Sequence, residues 1–328
     1  MKNQYFGDKR DLFKFDLMLD LMESGGFERL TYVPMLTASN SGSREGNLVP
    51  KDAKGHRLAL FEFLDAARSN GNGIRNWHRY FDRLGSYNFD SYRDRSEDFS
   101  HATRETYFAG IDVEMLRRAC ILIDPDIGVE RGLPAYMNRY GREKYLFLDE
   151  LEAILDRADG SLIIVYQHLQ KDARKRLTDI GIHLEKFAER LGLSAVPFVR
   201  EGDLAFYAVT REDNLRSLAA RTFSLHAEKT GRLRQHVTDV LGVAKSLAGS
   251  STGVADLAVF GSVARGEQGA GSDIDVMVRF DRPATLRGYF KLQTLLEGLL
   301  GRQIDLVTAK ALRPEMRSSV ERDAVYAA

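Results

Sequence analysis

The sequence has few of the features that would assign it to a protein class at once. Its 328 residues include one cysteine, Cys120, which lies beside the apolar run 121–123. A single thiol excludes an internal disulfide framework and a cysteine-rich zinc site, and we expect this one to be buried as a small apolar residue. The N-terminus is polar, and no run of about eighteen apolar residues occurs. Neither a signal peptide nor a membrane span is therefore expected, and the predicted compartment is the cytoplasm.

Net charge is also absent. The 47 lysines and arginines balance the 47 aspartates and glutamates, so the formal net charge is zero. A chain without an overall positive field does not attract nucleic acid in general, so a nucleic-acid partner would need a local patch and is not favoured. Hydrophobic residues make up 44% of the chain, which is ample for packed cores. The length allows one large domain or two ordinary ones.

The first two thirds of the chain alternate between continuous apolar runs and amphipathic segments. This alternation predicts an α/β fold with a mostly parallel sheet covered by helices on both faces. Apolar density falls between Arg211 and Ser224, which predicts a boundary there. We therefore expect an α/β domain over residues 1–215 and a smaller α/β domain over 224–328, opened by a helix from about 227 to 247. The predicted strands of the first domain include 30–36, 118–123, 161–166 and 205–210.

A polar turn, Asp124-Pro125-Asp126, follows one of these predicted strands. Ligands of open α/β sheets lie outside the carboxyl ends of the strands, so Asp124 and Asp126 are well placed for chemistry. The turn resembles the Asp-Pro-Pro-Tyr motif of amino methyltransferases, with Asp126 and Ile127 replacing the second proline and the tyrosine. The resemblance implies a class I methyltransferase-like scaffold. No Gly-x-Gly turn follows an early strand, so S-adenosylmethionine binding is not expected, and the role of residues 1–215 is left open.

The densest pattern of the chain begins at the end of a short apolar run, 257–260. Gly261 and Ser262 follow it, and a residue without a Cβ lets backbone N–H groups approach an anion closely. A helical turn from Val263 would add unpaired N–H groups and a positive dipole end. The pattern predicts a phosphate-binding turn, although a Gly-Ser pair alone is also typical of an ordinary turn.

Two aspartates follow a glycine loop at 269–271. Asp273 and Asp275 lead into the apolar run 276–278, and alternation along a strand puts both carboxylates on one face. Like charges this close repel each other unless a cation lies between them. Together with the phosphate-binding turn, these oxygen ligands predict Mg²⁺ carrying a nucleoside triphosphate. A lone Asp-x-Asp pair is also compatible with a solvated strand end.

A third carboxylate lies on another short apolar strand, 303–307. Asp305 is our candidate, and three aspartates could hold two metal ions that activate a hydroxyl group and stabilise leaving pyrophosphate. An aspartate in an apolar strand is equally compatible with an edge or turn position, so this residue is the weakest of the three on sequence grounds alone.

The spacing of these residues resembles the signature of the minimal nucleotidyltransferases, small members of the DNA polymerase β-like superfamily. The resemblance implies that Gly261 and Ser262 hold the β- and γ-phosphates, that Asp273 and Asp275 bind the metals, and that Asp305 completes the site. The same signature contains three further residues that we assign to nucleotide binding: Arg265, Gly266 and Ser272. One departure is visible, since the family often has arginine at the position of Val263.

The resemblance also implies the reaction. A nucleoside monophosphate, with AMP as the predicted group, would pass from ATP or another nucleoside triphosphate to a hydroxyl group. Relatives include antitoxins that adenylylate a partner toxin, so a protein is the favoured acceptor. Two other acceptors remain open, namely small molecules such as aminoglycosides and the ends of RNA. A non-catalytic nucleotide-binding module that regulates the first domain is a further alternative.

Overall fold

The chain folds into two compact units. The computed structural model describes residues 6–37, 49–70, 77–84, 88–92, 99–131, 137–138, 141–269, 272–283 and 285–327. One unit comprises Met1–His168 and Leu204–Arg216, and the other comprises Leu169–Asp203 and Ser217–Ala328. The domain division predicted from the sequence, 1–215 and 224–328, stays a prediction.

Helices and strands alternate along much of the chain. The helices are α1 (Lys9–Gly25), α2 (Leu58–Ser69), α3 (His78–Leu84), α4 (Arg104–Ala109), α5 (Val113–Leu116), α6 (Leu148–Leu155), α7 (Arg176–Leu191), α8 (Asp213–Lys229), α9 (Leu233–Thr252), α10 (Gly261–Arg265), α11 (Leu286–Leu300) and α12 (Pro314–Asp323). The strands are β1 (Arg29–Pro34), β2 (Asn88–Ser91), β3 (Ala119–Asp124), β4 (Gly128–Val129), β5 (Tyr145–Leu146), β6 (Leu162–His168), β7 (Phe198–Glu201), β8 (Leu204–Val209), β9 (Val254–Val259), β10 (Ile274–Phe280), β11 (Ile304–Thr308) and β12 (Val325–Tyr326).

The sheet of the first unit is mixed, with parallel strands at its centre. Its strands lie in the order β2-β1-β3-β6-β8. β1 pairs in parallel with β2 and β3, β3 pairs in parallel with β6, and β8 runs antiparallel to β6. All six residues of β3 are buried, including Cys120, as expected for a strand covered on both faces. The predicted α/β class is confirmed.

A buried ion pair network joins α1 to the end of β3. Lys14 is 2% exposed, and its Nζ lies 2.8 Å from both Asp11 Oδ1 and Asp124 Oδ2. The phenol of Tyr32 on β1 donates to the same oxygen of Asp124 at 2.8 Å. Burying an ion is costly unless it is paired. These contacts therefore offset the cost of burying the Asp124 carboxylate, and they hold α1 against the sheet. The likeness of this unit to a methyltransferase scaffold stays a prediction.

The second unit contains a four-stranded sheet in the order β11-β10-β9-β12. β10 pairs in parallel with β11 and antiparallel with β9, and β12 runs antiparallel to β9. α9 packs against β9, α7 and α11. Arg200 on β7 donates two hydrogen bonds, of 2.8 and 2.9 Å, to the carboxylate of Asp239 on α9. This fork-shaped contact ties the segment that carries β7 to the central helix of the unit.

The helix predicted over residues 227–247 is wrong in one respect. α8 ends at Lys229 and α9 begins at Leu233, so the chain turns between them. Gly231 has a φ of +71°, a backbone conformation that glycine adopts without the strain that a Cβ causes. The turn is closed by Arg232, whose N–H donates to the carbonyl of Ala227 at 2.6 Å.

Among the described residues, no helix has both the length and the apolar character needed to cross a membrane.

Asp8 supplies a test of the electrostatics at the start of α1. It is the N-cap of this helix, and burial, followed by repulsion from Asp11, raises the pKa of Asp8 from 3.8 to about 7. The folded chain therefore holds a proton that the unfolded chain releases, and stability falls as the pH rises from about 4 to about 7. Asp8→Asn keeps a good N-cap residue and removes this loss. We expect the variant to gain stability over the wild type at pH 8, by on the order of 1 kcal/mol, and much less at pH 5.

The measurement is urea unfolding at both pH values. The single tryptophan, Trp77, is buried in the first unit, so its fluorescence reports on that unit. Asp112→Asn, at the N-cap of α5, is the matched control for losing a carboxylate at an exposed cap. An equal effect of Asp8→Asn at pH 5 and pH 8 would contradict the prediction.

Candidate active site

The parallel pairing of β10 with β11 brings two of the predicted aspartates together. Asp275 lies directly opposite Asp305 in the register of the two strands. Residues opposite each other on neighbouring strands point to the same face, so both carboxylates share one side of the sheet. Their apolar neighbours Ile274, Val276 and Leu306 are buried, which fixes the register against a slip by one residue. Asp275 is half-buried and Asp305 is exposed.

Asp273 lies just before β10 rather than in it. The strand begins at Ile274, whose N–H donates to the carbonyl of Gln303 at 3.1 Å. Asp273 itself is exposed. The alternation of side chains along a strand therefore does not determine where the Asp273 carboxylate points. The prediction from the sequence that Asp273 and Asp275 share one face of a strand does not apply to Asp273, which lies outside the strand.

The three carboxylates nevertheless act on one another electrostatically. Burial, then repulsion from Asp305 and Asp273, raises the pKa of Asp275 above its usual range, while Arg265 acts in the opposite direction. A raised pKa here means that negative charge is unfavourable at Asp275 in the protein alone. A divalent cation would reverse that penalty, and carboxylate oxygens are the donors that Mg²⁺ prefers. The donor chemistry of the three side chains thus fits a hard metal ion.

Gly261 packs its backbone against the carboxylate of Asp275. The glycine has a φ of +69°, and a Cβ built on it would lie 2.2 Å from Asp275 Oδ2. Phe260, the residue before it, donates its N–H to the carbonyl of Asp275 at 3.0 Å. A side chain at position 261 would therefore be strained and would push the aspartate aside. The structure therefore gives a reason for glycine here that the sequence did not predict, and the role of Gly261 in binding phosphate stays a prediction.

The short helix α10 starts at this glycine and stops after five residues. Gly266 ends it with a φ of +74°, and the N–H of Glu267 donates to the carbonyl of Ser262 at 2.8 Å. The first N–H groups of any helix lack partners within the helix, and here they begin beside Asp275. Val263 is 1% exposed, so the residue that departs from the family pattern packs inside the unit.

Arg265 and Ser272 are occupied by contacts within the chain. Arg265 pairs with Glu267 through Nε at 2.7 Å and with Asp323 through Nη1 at 2.6 Å. The hydroxyl of Ser272 accepts the N–H of Gly269 at 3.0 Å. Residues 270 and 271 of the glycine loop lie outside the described residues. The assignment of these side chains and the three aspartates to nucleotide and metal stays a prediction.

Sequence reasoning missed a tyrosine next to Asp305. The phenol of Tyr289 on α11 donates to the carbonyl of Leu306, and Gln293 Nε2 donates to the carbonyl of Ile304 at 3.2 Å. Both carbonyls that flank Asp305 along the free edge of β11 are thereby bonded to side chains of one helix. Burial and then the charge of Asp305 raise the pKa of Tyr289. In the sequence, Tyr289 and Gln293 are only two positions four apart on an amphipathic helix, which does not indicate their partners.

Known proteins are similar in sequence to the part of the chain that contains this site. Residues 237–327 match the family described as the nucleotidyltransferase domain. A putative protein adenylyltransferase of Methanocaldococcus jannaschii is 38% identical over 93 residues, which are 27% of this chain and 93% of the relative. This chain belongs to the nucleotidyltransferase family. The resemblance and the enzyme class that the motif predicted are confirmed.

Further relatives match to a similar extent. The protein adenylyltransferase MntA of Thermococcus cleftensis is 34% identical over 92 residues, which are 28% of this chain and 93% of the relative. A solved structure described as a putative minimal nucleotidyltransferase is 41% identical, covers 28% of this chain and 90% of its own, and superposes with a TM-score of 0.25. These matches each extend over little more than a quarter of the chain.

The contact between Gly261 and Asp275 leads to a prediction. We expect Gly261→Ala to reduce nucleotidyl transfer by at least about tenfold, because the new methyl group displaces the Asp275 carboxylate. Gly231→Ala is the matched control, since Gly231 has a similar φ of +71° but, its chain neighbours aside, no atom of the described residues lies within 4 Å of the position that its new methyl group would take. Pyrophosphate release measures the reaction. Equal losses in the two variants would show that backbone strain alone is responsible.

Proposed function

We propose that this nucleotidyltransferase transfers AMP from ATP to a hydroxyl group of a protein, with Mg²⁺ as its metal ion. The observation that carries the proposal is the pairing of Asp275 with Asp305 beside the glycine turn at Gly261. Two carboxylates on one face and a turn that exposes helical N–H groups next to them combine metal ligands with a phosphate site.

Asp273, Asp275 and Asp305 would hold the metal. Burial and then repulsion from the other two carboxylates raise the pKa of Asp275, and this supports the assignment because a bound cation would relieve both effects. A bound divalent ion supplies charge stabilisation for the triphosphate and the leaving pyrophosphate. The N–H groups at the start of α10, from Gly261 and Ser262, would bind phosphate oxygens.

Asp305 is the candidate that receives the proton of the acceptor. It is the exposed member of the pair, so an acceptor hydroxyl can approach it from solvent. The hydroxyl oxygen would bond to the α-phosphorus of ATP as the bond to the bridging oxygen of pyrophosphate breaks, and the proton would pass to the Asp305 carboxylate. Asp275, half-buried against Gly261, would remain in place through this step.

A protein acceptor is supported by two observations. The relatives that match over nearly their whole length are named protein adenylyltransferases. The chain has no net charge, whereas a nucleic-acid acceptor is held by several cations along one face. An RNA end, a small molecule such as an aminoglycoside, and nucleotide binding without catalysis are the other outcomes that experiment must separate.

The aspartates are expected to differ in how their loss affects the enzyme. Asp275→Asn should remove transfer by at least about a hundredfold, and without metal it should leave thermal stability unchanged or slightly raised because repulsion is relieved. Asp305→Asn should reduce turnover to a similar extent while ATP binding largely survives. Pyrophosphate release, ATP affinity and melting of the metal-free protein are the measurements. Near wild-type turnover in either variant would refute the site assignment.

The acceptor class can be read from one incubation. ATP labelled at the α-phosphate is mixed with the protein, Mg²⁺ and a cell lysate, and the products are separated into protein, RNA and small molecules. We expect label on protein that survives ribonuclease, and none with Asp275→Asn. Label confined to RNA and removed by ribonuclease would overturn the protein acceptor, and pyrophosphate release without any labelled macromolecule would favour a small molecule. ATP binding without pyrophosphate release would indicate a non-catalytic module.

A further inference from the structure

The first turns of α11 carry a solvent-facing patch of mixed character, which we call the docking patch and define as Leu286, Arg287, Phe290 and Lys291. Leu286 is 74% exposed and Phe290 is 55% exposed. The two lie four residues apart and therefore on one side of the helix. Single exposed apolar side chains are ordinary, but an adjacent aliphatic and aromatic pair offers a contiguous contact surface.

Two cations border this apolar pair. Arg287 and Lys291 are exposed and also lie four residues apart, so they form a second row beside the first. Within the described part of the chain, neither forms a salt bridge with a carboxylate. Two other arginines of this unit are paired with carboxylates: Arg265 with Asp323 and Arg302 with Glu228. The docking patch thus offers positive charge that the unit itself does not neutralise.

The docking patch is continuous with the candidate active site. The ring of Phe290 packs edge-to-face on the ring of Tyr289, with centroids 5.6 Å apart and an interplanar angle of 85°. Tyr289 in turn donates to the carbonyl of Leu306, the residue after Asp305. Tyr289 therefore lies between the docking patch and Asp305. An acceptor whose hydroxyl reaches Asp305 would have its neighbouring residues close to the docking patch.

We propose that the docking patch binds the acceptor polypeptide through a segment that combines apolar and acidic side chains near the modified hydroxyl. The proposal rests on the proposed function. Three aspartates repel an acidic polypeptide at the site itself, and Arg287 and Lys291 offset that repulsion where the segment leaves the site. The apolar side chains of the acceptor segment would pack on Leu286 and Phe290. A single-stranded RNA could stack on Phe290 and bind both cations, but it would leave the aliphatic side chain of Leu286 without a matching apolar partner.

Tyrosine copolymers of opposite charge provide the test. Label transfer from α-labelled ATP is measured with poly(Glu,Tyr) and with poly(Lys,Tyr). The wild type should label poly(Glu,Tyr) about tenfold more than poly(Lys,Tyr), because surface charges of one sign steer a partner of the other. The double variant Arg287→Glu, Lys291→Glu should invert this preference, and Leu286→Ser with Phe290→Ser should reduce labelling of poly(Glu,Tyr) about tenfold.

Matched controls lie outside the docking patch in the same unit. Lys310→Glu removes an exposed cation, and Met316→Ser removes a methionine that is 51% exposed on α12. Both should behave like the wild type with either copolymer. Melting temperature and ATP affinity are measured for every variant, so that loss of folding is distinguished from loss of acceptor binding.

Each outcome decides the proposal. Equal labelling of the two copolymers, labelling of neither, or docking-patch variants that match the wild type would overturn it. Label appearing on an added oligoadenylate, and lost in the double charge variant, would assign the docking patch to RNA instead. The lysate experiment separates this failure from that of the proposed function: label on lysate protein with no effect of the docking patch refutes only the docking surface, whereas no label on protein refutes the adenylyltransferase proposal.

Discussion

The second unit depends on one constraint, the close approach of backbone and carboxylate at Gly261 and Asp275. A Cβ at position 261 would collide with Asp275 Oδ2. The turn after β9 and the face of β10 that carries Asp275 are therefore packed directly against each other. The hydrogen bond from Phe260 to the carbonyl of Asp275 fixes the same contact from the backbone side. Because Asp275 also lies opposite Asp305 in the parallel register, the position of the turn determines where both carboxylates lie relative to the start of α10, the proposed phosphate site.

β11 is an edge strand that carries Asp305, a candidate catalytic residue, and its outer side has no neighbouring strand in the four-stranded sheet. Unpaired backbone groups on a sheet edge invite pairing with other chains and leave the strand loosely positioned. Tyr289 and Gln293 donate hydrogen bonds to the outward carbonyls on either side of Asp305. At this edge, α11 thus supplies hydrogen bonds that a neighbouring strand would otherwise supply. The same helix therefore holds the strand that carries Asp305 and presents the docking patch, so the proposed site and the proposed acceptor surface depend on one element.

The sequence was informative where the chemistry is local. Gly261, Ser262 and the Asp-Ile-Asp triplet lie within fifteen residues, so their proximity follows from the sequence, although the strand alternation predicted for Asp273 does not apply to it. Contacts made across the fold were not predictable. Arg265 pairs with Asp323, 58 positions away, and Tyr289 bonds to the backbone of another element, which leaves no side-chain pattern. The break at Gly231 is not predictable, because an isolated glycine inside a helical pattern is tolerated and does not by itself indicate that the helix ends.

The two units treat charge at strand ends in opposite ways, and the contrast indicates where the chemistry lies. In the first unit, Asp124 ends a buried strand at a place where ligands of α/β sheets bind, yet Lys14 and Tyr32 already engage its carboxylate. In the second unit, no cationic side chain of the described residues bonds to Asp275, and Arg265, whose charge acts on it, is held by Glu267 and Asp323. Negative charge that a fold leaves uncompensated lowers its stability, and such charge clusters at functional sites. The uncompensated carboxylates are the candidate metal ligands of the second unit, which supports the proposal that a cation binds there.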